Sequence, residues 1–282
     1  MKFVTFQKAG QNPEAGAVVG DRVVGLGGAG CPSIFDVLSA GTVARPGIEN
    51  WIASNAGYPL KSVKLLAPIP RPPKLICVGL NYRDHALESK MEIPKVPTIF
   101  SKFPSAVIAP GESIVLPKNS TQPDYEAEFA FVIGKGGRHI PAESWQQHVF
   151  GYTIMNDVSA RDFQMATTQW LMGKTFDTFA PMGPYIVSAD EIPDPHALDI
   201  GLTINGEVLQ RSNTRELIFK IPELIAFLSS VFTLEPGDVV STGTPAGVGV
   251  ARKPQRFLRP GDDVVVSVQG LGELRNPVVA ES

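Results

Sequence analysis

Three Pro-Gly-acid steps, each followed by a run of apolar β-branched residues, constrain the fold more than any other feature of the sequence. Proline presets φ at the first central position of a tight turn, and glycine accepts the positive φ of the second. We therefore expect turns leading into strands at Pro110-Gly111-Glu112, Pro236-Gly237-Asp238 and Pro260-Gly261-Asp262. With 27 glycines and 25 prolines in 282 residues, the chain is expected to be rich in short β-strands.

The apolar runs between such turns predict strands over residues 74–78, 113–116, 127–133, 152–155, 184–187, 201–204, 239–242 and 264–268. Asn205-Gly206 between two apolar stretches predicts a two-residue hairpin turn. Apolar residues at helical spacing predict a helix over about 221–232, which has Pro222 in its first turn. A shorter helix is expected over 142–149, after Pro141 and before Gly151.

A proline-rich connector divides the chain into two expected domains. Residues 67–73 contain four prolines, a composition typical of a stiff spacer. We expect a small N-terminal β-rich domain over residues 1–66 and a larger domain over residues 67–282, which carries the candidate chemistry. The first is expected to act as scaffold, at the edge of a site.

Charge and hydrophobicity exclude several classes of protein. A net charge of −3 with 43% hydrophobic residues fits a globular chain and offers no bulk positive charge for nucleic acid. No apolar run approaches the roughly 20 residues that span a bilayer, and polar residues interrupt the first residues too early for a secretory signal. We expect a cytoplasmic protein that binds neither nucleic acid nor membrane. The widely separated Cys31 and Cys77 indicate neither a disulfide framework nor a zinc site.

The strongest local signal for chemistry is an acidic pair where the strand over 127–133 begins. Glu126 and Glu128 share one face, because side chains alternate along a strand. Beyond them both faces are apolar, which predicts a strand buried on both sides. At about 4 Å two such carboxylates repel by about 4 kcal/mol, and a divalent cation would reverse that repulsion. The alternative is an edge strand with two solvated acids.

A third acid, Asp157, is expected at the carboxyl end of another apolar strand. Three oxygen ligands without a cluster of histidines or cysteines favour Mg²⁺ or Mn²⁺ over Zn²⁺. Asp157 alone is more typical of a cap or turn residue. The predicted metal site therefore depends on the three acids as a set.

Three further features are candidates for catalysis or binding. His85 and Glu88 are three residues apart on a predicted helical turn, where the carboxylate would orient the imidazole. Lys174 lies between Trp170 and Phe176, which would place its ammonium where it is partly desolvated and able to stabilise negative charge on an oxygen. The glycine-rich segment 242–249, with Thr244, would hold a small anion such as a carboxylate. The alternatives are a surface His-Glu pair, a surface lysine and a purely conformational loop.

Together, five separated motifs resemble the fumarylacetoacetate hydrolase family, and their order and spacing match over residues 74–278. The motifs are Gly79-x-Asn81-Tyr82-x-x-His85-x-x-Glu88, Asp124-Tyr125-Glu126-x-Glu128, Asn156-Asp157-Val158-Ser159-Ala160-Arg161-Asp162-x-Gln164, Gln169-Trp170-x-x-Gly173-Lys174-x-Phe176-Asp177 and Thr242-Gly243-Thr244-Pro245-x-Gly247-Val248-Gly249. The larger eukaryotic members add a fourth acidic ligand shortly before the catalytic histidine, which residues 75–78 lack. The chain thus resembles the shorter acylpyruvate hydrolase and oxaloacetate decarboxylase-like branch.

The resemblance implies an α+β fold with mixed sheets rolled around the site, a homodimer and a bound Mg²⁺ or Mn²⁺. Carried over to this sequence, it assigns Glu126, Glu128 and Asp157 to the metal, His85 and Glu88 to water activation, Lys174 to the developing oxyanion, Arg161 and Gln164 to the surroundings of metal and substrate, and Thr244 to the substrate carboxylate.

The function expected from this resemblance is metal-dependent hydrolysis of a C–C bond in a 2,4-dioxo acid, an acylpyruvate, to pyruvate and a carboxylic acid. One alternative is decarboxylation of oxaloacetate or isomerisation of a 2-oxo acid through the same enolate. Another is a metal-stabilised binding protein without turnover. Residues 86–97 are expected to form part of a closing lid that decides whether water is admitted.

Overall fold

The computed structural model describes residues 1–282 and every side chain except those of Thr42 and Val43. More of these residues lie in strands than in helices. The strands, numbered in chain order, are β1 (Lys2–Gln7), β2 (Glu14–Val19), β3 (Arg22–Gly25), β4 (Tyr58–Pro59), β5 (Lys64–Leu65), β6 (Leu75–Gly79), β7 (Thr98–Ser101), β8 (Val107–Ile108), β9 (Ile114–Leu116), β10 (Pro123–Asp124), β11 (Ala127–Ile133), β12 (Val149–Asn156), β13 (Ser159–Ala160), β14 (Ala180–Ser188), β15 (Asp199–Ile204), β16 (Glu207–Asn213), β17 (Val239–Ser241), β18 (Asp263–Val268) and β19 (Gly272–Ala280). The α-helices are α1 (Ile34–Ala40), α2 (Arg45–Ser54), α3 (Arg83–Glu88), α4 (Arg161–Gln164), α5 (Leu171–Lys174) and α6 (Ile221–Val231).

The largest sheet has the strand order β4-β3-β2-β1-β14-β12-β11-β17-β6-β7, with β5 beside β1 and β8 beside β14. It is mixed, because β11 runs antiparallel to both its neighbours whereas β17 and β6 are parallel. Every residue of β11 is buried. The predicted strand over 127–133, buried on both faces, is therefore confirmed, and so is the α+β fold of mixed sheets.

A second sheet has the order β16-β15-β18-β19-β9, and a short pair joins β10 to β13. The hairpin between β15 and β16 turns at Asn205 and Gly206, whose φ values of 53° and 83° are those of a type I′ turn. The predicted hairpin is therefore confirmed.

Two apolar layers enclose the central strand β11. Phe129 and Phe131 pack in one cluster with residues of β15, β18 and α6. Ala130 and Val132, on the opposite face, pack in a second cluster with residues of β1, β2 and α1. The strand that begins at the acidic pair is thus held between two cores, and close packing on both sides restricts its movement.

The N-terminal segment contributes directly to the large sheet. Strand β1 pairs antiparallel with β14, with Lys2 opposite Val187 and Phe3 opposite Ile186. Residues 67–73 form neither helix nor strand, as the proline-rich composition predicts, but Ile69 is buried in the second apolar cluster. The segment before the connector therefore shares a sheet and a core with the rest of the chain, while the domain boundary at residue 66 stays a prediction.

The three Pro-Gly steps turn as the sequence predicts, because Gly111, Gly237 and Gly261 have φ values of 80°, 91° and 90°. The helix expected over 142–149 is wrong in type and length: a 3-10 helix covers Ala142–Gln147. It ends there because Val149 already pairs with Ile133 in the sheet. Among the described residues, no helix has the length and apolar character needed to cross a bilayer.

We expect Leu224→Ala to lower the free energy of unfolding by about 2–5 kcal/mol, because the fully buried side chain of Leu224 in α6 would leave a cavity in the first core. Val231→Ala, at an exposed position of the same helix, is the control and should change stability by less than about 0.5 kcal/mol. Urea denaturation measures both, and equal losses would contradict this placement of the core.

Candidate metal centre

The structure brings the three acids of the predicted metal site together. Glu126, Glu128 and Asp157 each present one carboxylate oxygen, and these oxygens lie within 4.8 Å of one another. All three side chains are buried, which excludes the alternative of two solvated acids on an edge strand. Whether the group holds a metal stays a prediction.

The antiparallel pairing of β11 with β12 creates this cluster. Ala127 lies opposite Asn156, so the start of one strand meets the end of the other. The Asp157 backbone N–H donates to the Glu126 carbonyl oxygen at 3.0 Å, and the Glu126 N–H donates to the Asn156 side-chain oxygen at 3.0 Å. Long-range pairing thus joins two acidic motifs that are about 30 residues apart in the sequence.

Two buried ammonium groups face the carboxylates. Lys174 Nζ donates to Glu126 Oε2 at 2.6 Å and to Asp157 Oδ2 at 2.7 Å. Lys102 Nζ donates to Asp157 Oδ1 at 2.5 Å and to the Val158 carbonyl oxygen at 2.9 Å. The surface-lysine alternative for Lys174 is therefore wrong. The sequence analysis missed Lys102, which belongs to none of the motifs and reaches the site because β7 pairs with β6.

Arg161 connects the carboxylates to two neighbouring polar groups. Its Nη2 donates to Glu126 Oε1 at 2.7 Å, its Nη1 to Gln164 Oε1 at 2.9 Å and its Nε to Asp124 Oδ2 at 2.8 Å. Arg161 and Gln164 therefore lie beside the acidic cluster, as expected. The guanidinium is engaged with protein groups on three sides, and the expected contact of Arg161 and Gln164 with a substrate stays a prediction.

The electrostatics of the two glutamates differ because their neighbours differ. Burial raises the pKa of Glu128 well above its ordinary value, and the nearby carboxylates of Asp157 and Glu126 raise it further. Burial also opposes ionisation of Glu126, but Lys174 and Arg161 outweigh that effect and hold its pKa well below the ordinary value. A buried carboxylate with two like-charged neighbours is stabilised as an anion by a further cation.

This donor set fits Mg²⁺ or Mn²⁺. Carboxylate oxygens are the ligands these ions prefer, and three of them leave coordination positions for water or a substrate. Glu128 is preoriented for such a role, since Ser241 Oγ and the Gly243 N–H, at 3.1 Å, both donate to its Oε2.

His85 and Glu88 form the expected pair on α3. The His85 Nδ1 and Glu88 Oε2 lie 3.3 Å apart, and both side chains are partly exposed. The Gly247 N–H lies 3.0 Å from both carboxylate oxygens of Glu88. Although burial opposes it, the contacts with His85 and Gly247 lower the pKa of Glu88. In its protonated form, the His85 imidazolium also helps to lower the pKa of Glu126.

The segment with Thr244 is held by a side chain that the sequence analysis missed. Gln210 Nε2, on β16, donates to Thr244 Oγ1 at 2.9 Å and to the Pro245 carbonyl oxygen at 2.9 Å. Thr244 itself is buried. The lone glutamine of a surface-like strand carried no sequence signal for this role. Binding of a carboxylate by Thr244 stays a prediction.

Residues 86–97, the segment expected to act as a lid, expose several apolar side chains to solvent. These exposed residues are Leu87, Met91, Ile93 and Val96. Residues 89–97 contain neither helix nor strand. The segment adjoins the His85-Glu88 pair, and its closing motion stays a prediction.

We expect Glu128→Gln to weaken Mn²⁺ binding at least about 100-fold, because it removes one of three charged donors. Glu143→Gln, the same change at an exposed glutamate, is the control and should leave affinity unchanged. Calorimetric titration of chelator-treated protein with Mn²⁺ measures the affinity. Equal affinities for the two variants would remove Glu128 from the ligand set.

Comparison with known proteins identifies a family to which the sequence is similar. Residues 74–279 match the family model described as fumarylacetoacetate (FAA) hydrolase C-terminal. The mitochondrial oxaloacetate tautomerase Fahd2a of Rattus norvegicus is 52% identical over 222 residues, which cover 78% of this chain and 71% of that protein.

Solved structures resemble the whole chain. The maleylpyruvate hydrolase of Sphingobium sp. SYK-6, in complex with manganese(II) and pyruvate, has a TM-score of 0.86 and 32% identity, with 100% of both chains covered. The 5-carboxymethyl-2-hydroxymuconate delta-isomerase of Mycobacterium smegmatis has a TM-score of 0.80 and 35% identity, again with 100% of both chains covered. Since the family model matches well over half of the sequence and its five motifs meet around one buried acidic cluster, this chain belongs to the fumarylacetoacetate hydrolase family.

Proposed function

We propose that this chain is a Mg²⁺- or Mn²⁺-dependent enzyme that interconverts the keto and enol forms of oxaloacetate or of a closely related small 2-oxo acid. The buried cluster of Glu126, Glu128 and Asp157 is the observation that carries the proposal. The identity of 52% to an oxaloacetate tautomerase, over 78% of the chain, favours tautomerisation among the reactions such a site supports.

The three carboxylates would hold the metal, which when bound supplies Lewis-acid polarisation of the 2-oxo group. That polarisation makes the neighbouring C–H bond more acidic, and tautomerisation consists of moving that proton from carbon to the oxo oxygen. The protein therefore needs a group that takes a proton from carbon and groups that stabilise the negative charge left on oxygen.

His85 is suited to take the proton. Glu88 contacts its Nδ1, which orients the ring and leaves Nε2 as the basic nitrogen. The Gly247 N–H fixes Glu88 in turn. With the Glu88 carboxylate held ionised, the His85-Glu88 pair can accept a proton from the carbon next to the oxo group and return it to the oxo oxygen.

Positive charge around the cluster suits an anionic substrate. Lys102, Lys174 and Arg161 carry three positive charges beside the three carboxylates of the cluster and the carboxylate of Asp124. A bound dication would therefore leave a net positive charge at the site. Lys174 would stabilise negative charge that develops on the oxo oxygen. Thr244 and the N–H groups of its segment would bind a substrate carboxylate, which fits a small oxo acid with two carboxylates.

Hydrolysis of a 2,4-dioxo acid is the second candidate. The solved structure of a maleylpyruvate hydrolase with manganese(II) and pyruvate, similar over the full chain, favours it. In that reaction His85 would take a proton from water, and the water would attack the distal carbonyl group. The two reactions share the polarised 2-oxo group and differ in whether water reaches the substrate.

A substrate panel separates these reactions. With Mn²⁺ present, the rate at which enol-oxaloacetate is converted to the keto form is measured from the loss of enol absorbance. We expect this rate to exceed the rate of pyruvate release from acylpyruvates by at least about tenfold. A chelator should abolish the activity. Faster release of pyruvate plus a free acid would favour hydrolysis, and CO₂ release from oxaloacetate as the main reaction would favour a decarboxylase.

We expect His85→Asn to lower kcat by about 10²–10⁴-fold, the usual contribution of a general acid-base group, while Mn²⁺ affinity stays within about twofold. His139→Asn, at an exposed histidine outside the site, is the matched control and should retain full activity. Steady-state kinetics and Mn²⁺ titration give both quantities. A metal-stabilised binding protein would bind Mn²⁺ but show no turnover, both in the wild type and in the His85→Asn variant.

A further inference from the structure

Asp124 is a buried carboxylate that the proposed reaction leaves without a role. It lies two residues before Glu126, is fully buried and does not belong to the cluster of three acids. Four donors surround it: Arg161 Nε at 2.8 Å and the backbone N–H groups of Tyr125, Gly249 and Val250 at 2.8, 2.8 and 3.0 Å. A carboxylate with so many donors is held in one orientation.

On one side, Asp124 fixes the guanidinium that holds a metal-site carboxylate. Asp124 Oδ2 accepts from Arg161 Nε, while Arg161 Nη2 donates to Glu126 Oε1 at 2.7 Å. The guanidinium is planar and rigid, so fixing its Nε edge fixes the direction of Nη2. The position of Glu126 therefore depends on Asp124 through one intervening side chain.

On the other side, Asp124 anchors the backbone of residues 247–250, which contacts Glu88. Gly249 and Val250 donate to Asp124, and two residues earlier the Gly247 N–H contacts Glu88. The approach at Gly249 is close: an added Cβ would lie 2.5 Å from Asp124 Oδ1 and 2.0 Å from the Arg256 carbonyl oxygen. Only glycine lets this backbone reach the carboxylate.

We propose that Asp124 is a positioning residue that joins the two halves of the site. Through Arg161 it sets the orientation of Glu126 toward the metal, and through Gly249 and Val250 it places the segment that orients Glu88 and His85. This inference rests on the proposed function for its catalytic part, whereas its effect on metal affinity is independent of which substrate is used.

The test is Asp124→Asn, which keeps the shape but replaces one acceptor oxygen with an N–H₂ donor facing other donors. We expect Mn²⁺ affinity to fall about 10–100-fold, as is usual when a group behind a metal ligand is lost, and kcat to fall as well. Asp162→Asn is the matched control, because Asp162 adjoins Arg161 in sequence but binds Ser120 and Thr121. Its affinity should stay within about twofold of the wild-type value.

A double-mutant cycle separates positioning from a general loss of negative charge. Arg161→Lys keeps the positive charge but cannot contact Asp124 and Glu126 in the same way. If Asp124 acts through Arg161, the double variant loses little more Mn²⁺ affinity than either single variant. If the fold-losses of Mn²⁺ affinity in the two single variants multiply in the double variant, the proposal is overturned. Wild-type affinity in Asp124→Asn would overturn it as well.

Melting curves check that each variant is folded. If Asp124→Asn does not fold, Arg161→Lys alone tests the link to Glu126, and wild-type Mn²⁺ affinity in that variant would overturn it. Mn²⁺ binding without turnover of any substrate in the wild type would refute the proposed function while leaving the effect of Asp124 on affinity measurable. Failure of the wild type to bind Mn²⁺ would refute both.

Discussion

Repulsion among three buried carboxylates is the constraint on which the rest of this structure depends. Glu126, Glu128 and Asp157 approach within 4.8 Å in an interior where unpaired charge is strongly unfavourable. Lys102 and Lys174 balance this charge directly, with Arg161 beside them. Burial and the neighbouring carboxylates of Asp157 and Glu126 raise the pKa of Glu128, so these cations do not balance every carboxylate equally.

The sheet supplies the rigidity that such a cluster needs. Strand β11 lies between β12 and β17, and apolar layers cover both its faces. Glu126 and Glu128 lie at the start of this strand, where a loop would otherwise let them move apart. Because a metal site loses affinity and selectivity when its ligands move, a doubly buried strand is a suitable support for two of the three donors.

Around this fixed centre, the parts that would meet a substrate are held by polar contacts. Gln210, Glu88 and Asp124 bind successive parts of the segment 244–250. In the proposed function, the centre would polarise a 2-oxo group, whereas the segment and the residues after α3 would determine what else reaches the substrate. This division is consistent with relatives that are named a tautomerase, a hydrolase and an isomerase.

Local patterns in the sequence determined the strand at 127–133, the hairpin at Asn205-Gly206, and the placing of Glu126 and Glu128 on one face, because turn chemistry and side-chain alternation act between near neighbours. Local pattern was insufficient at residues 142–149, where pairing of Val149 in the sheet ends the helix. The tertiary structure alone determined the roles of Lys102 and Gln210 at the site and the link from Asp124 to Arg161. Each joins residues that are distant in the sequence, and only the packing of the folded chain brings them within hydrogen-bonding distance.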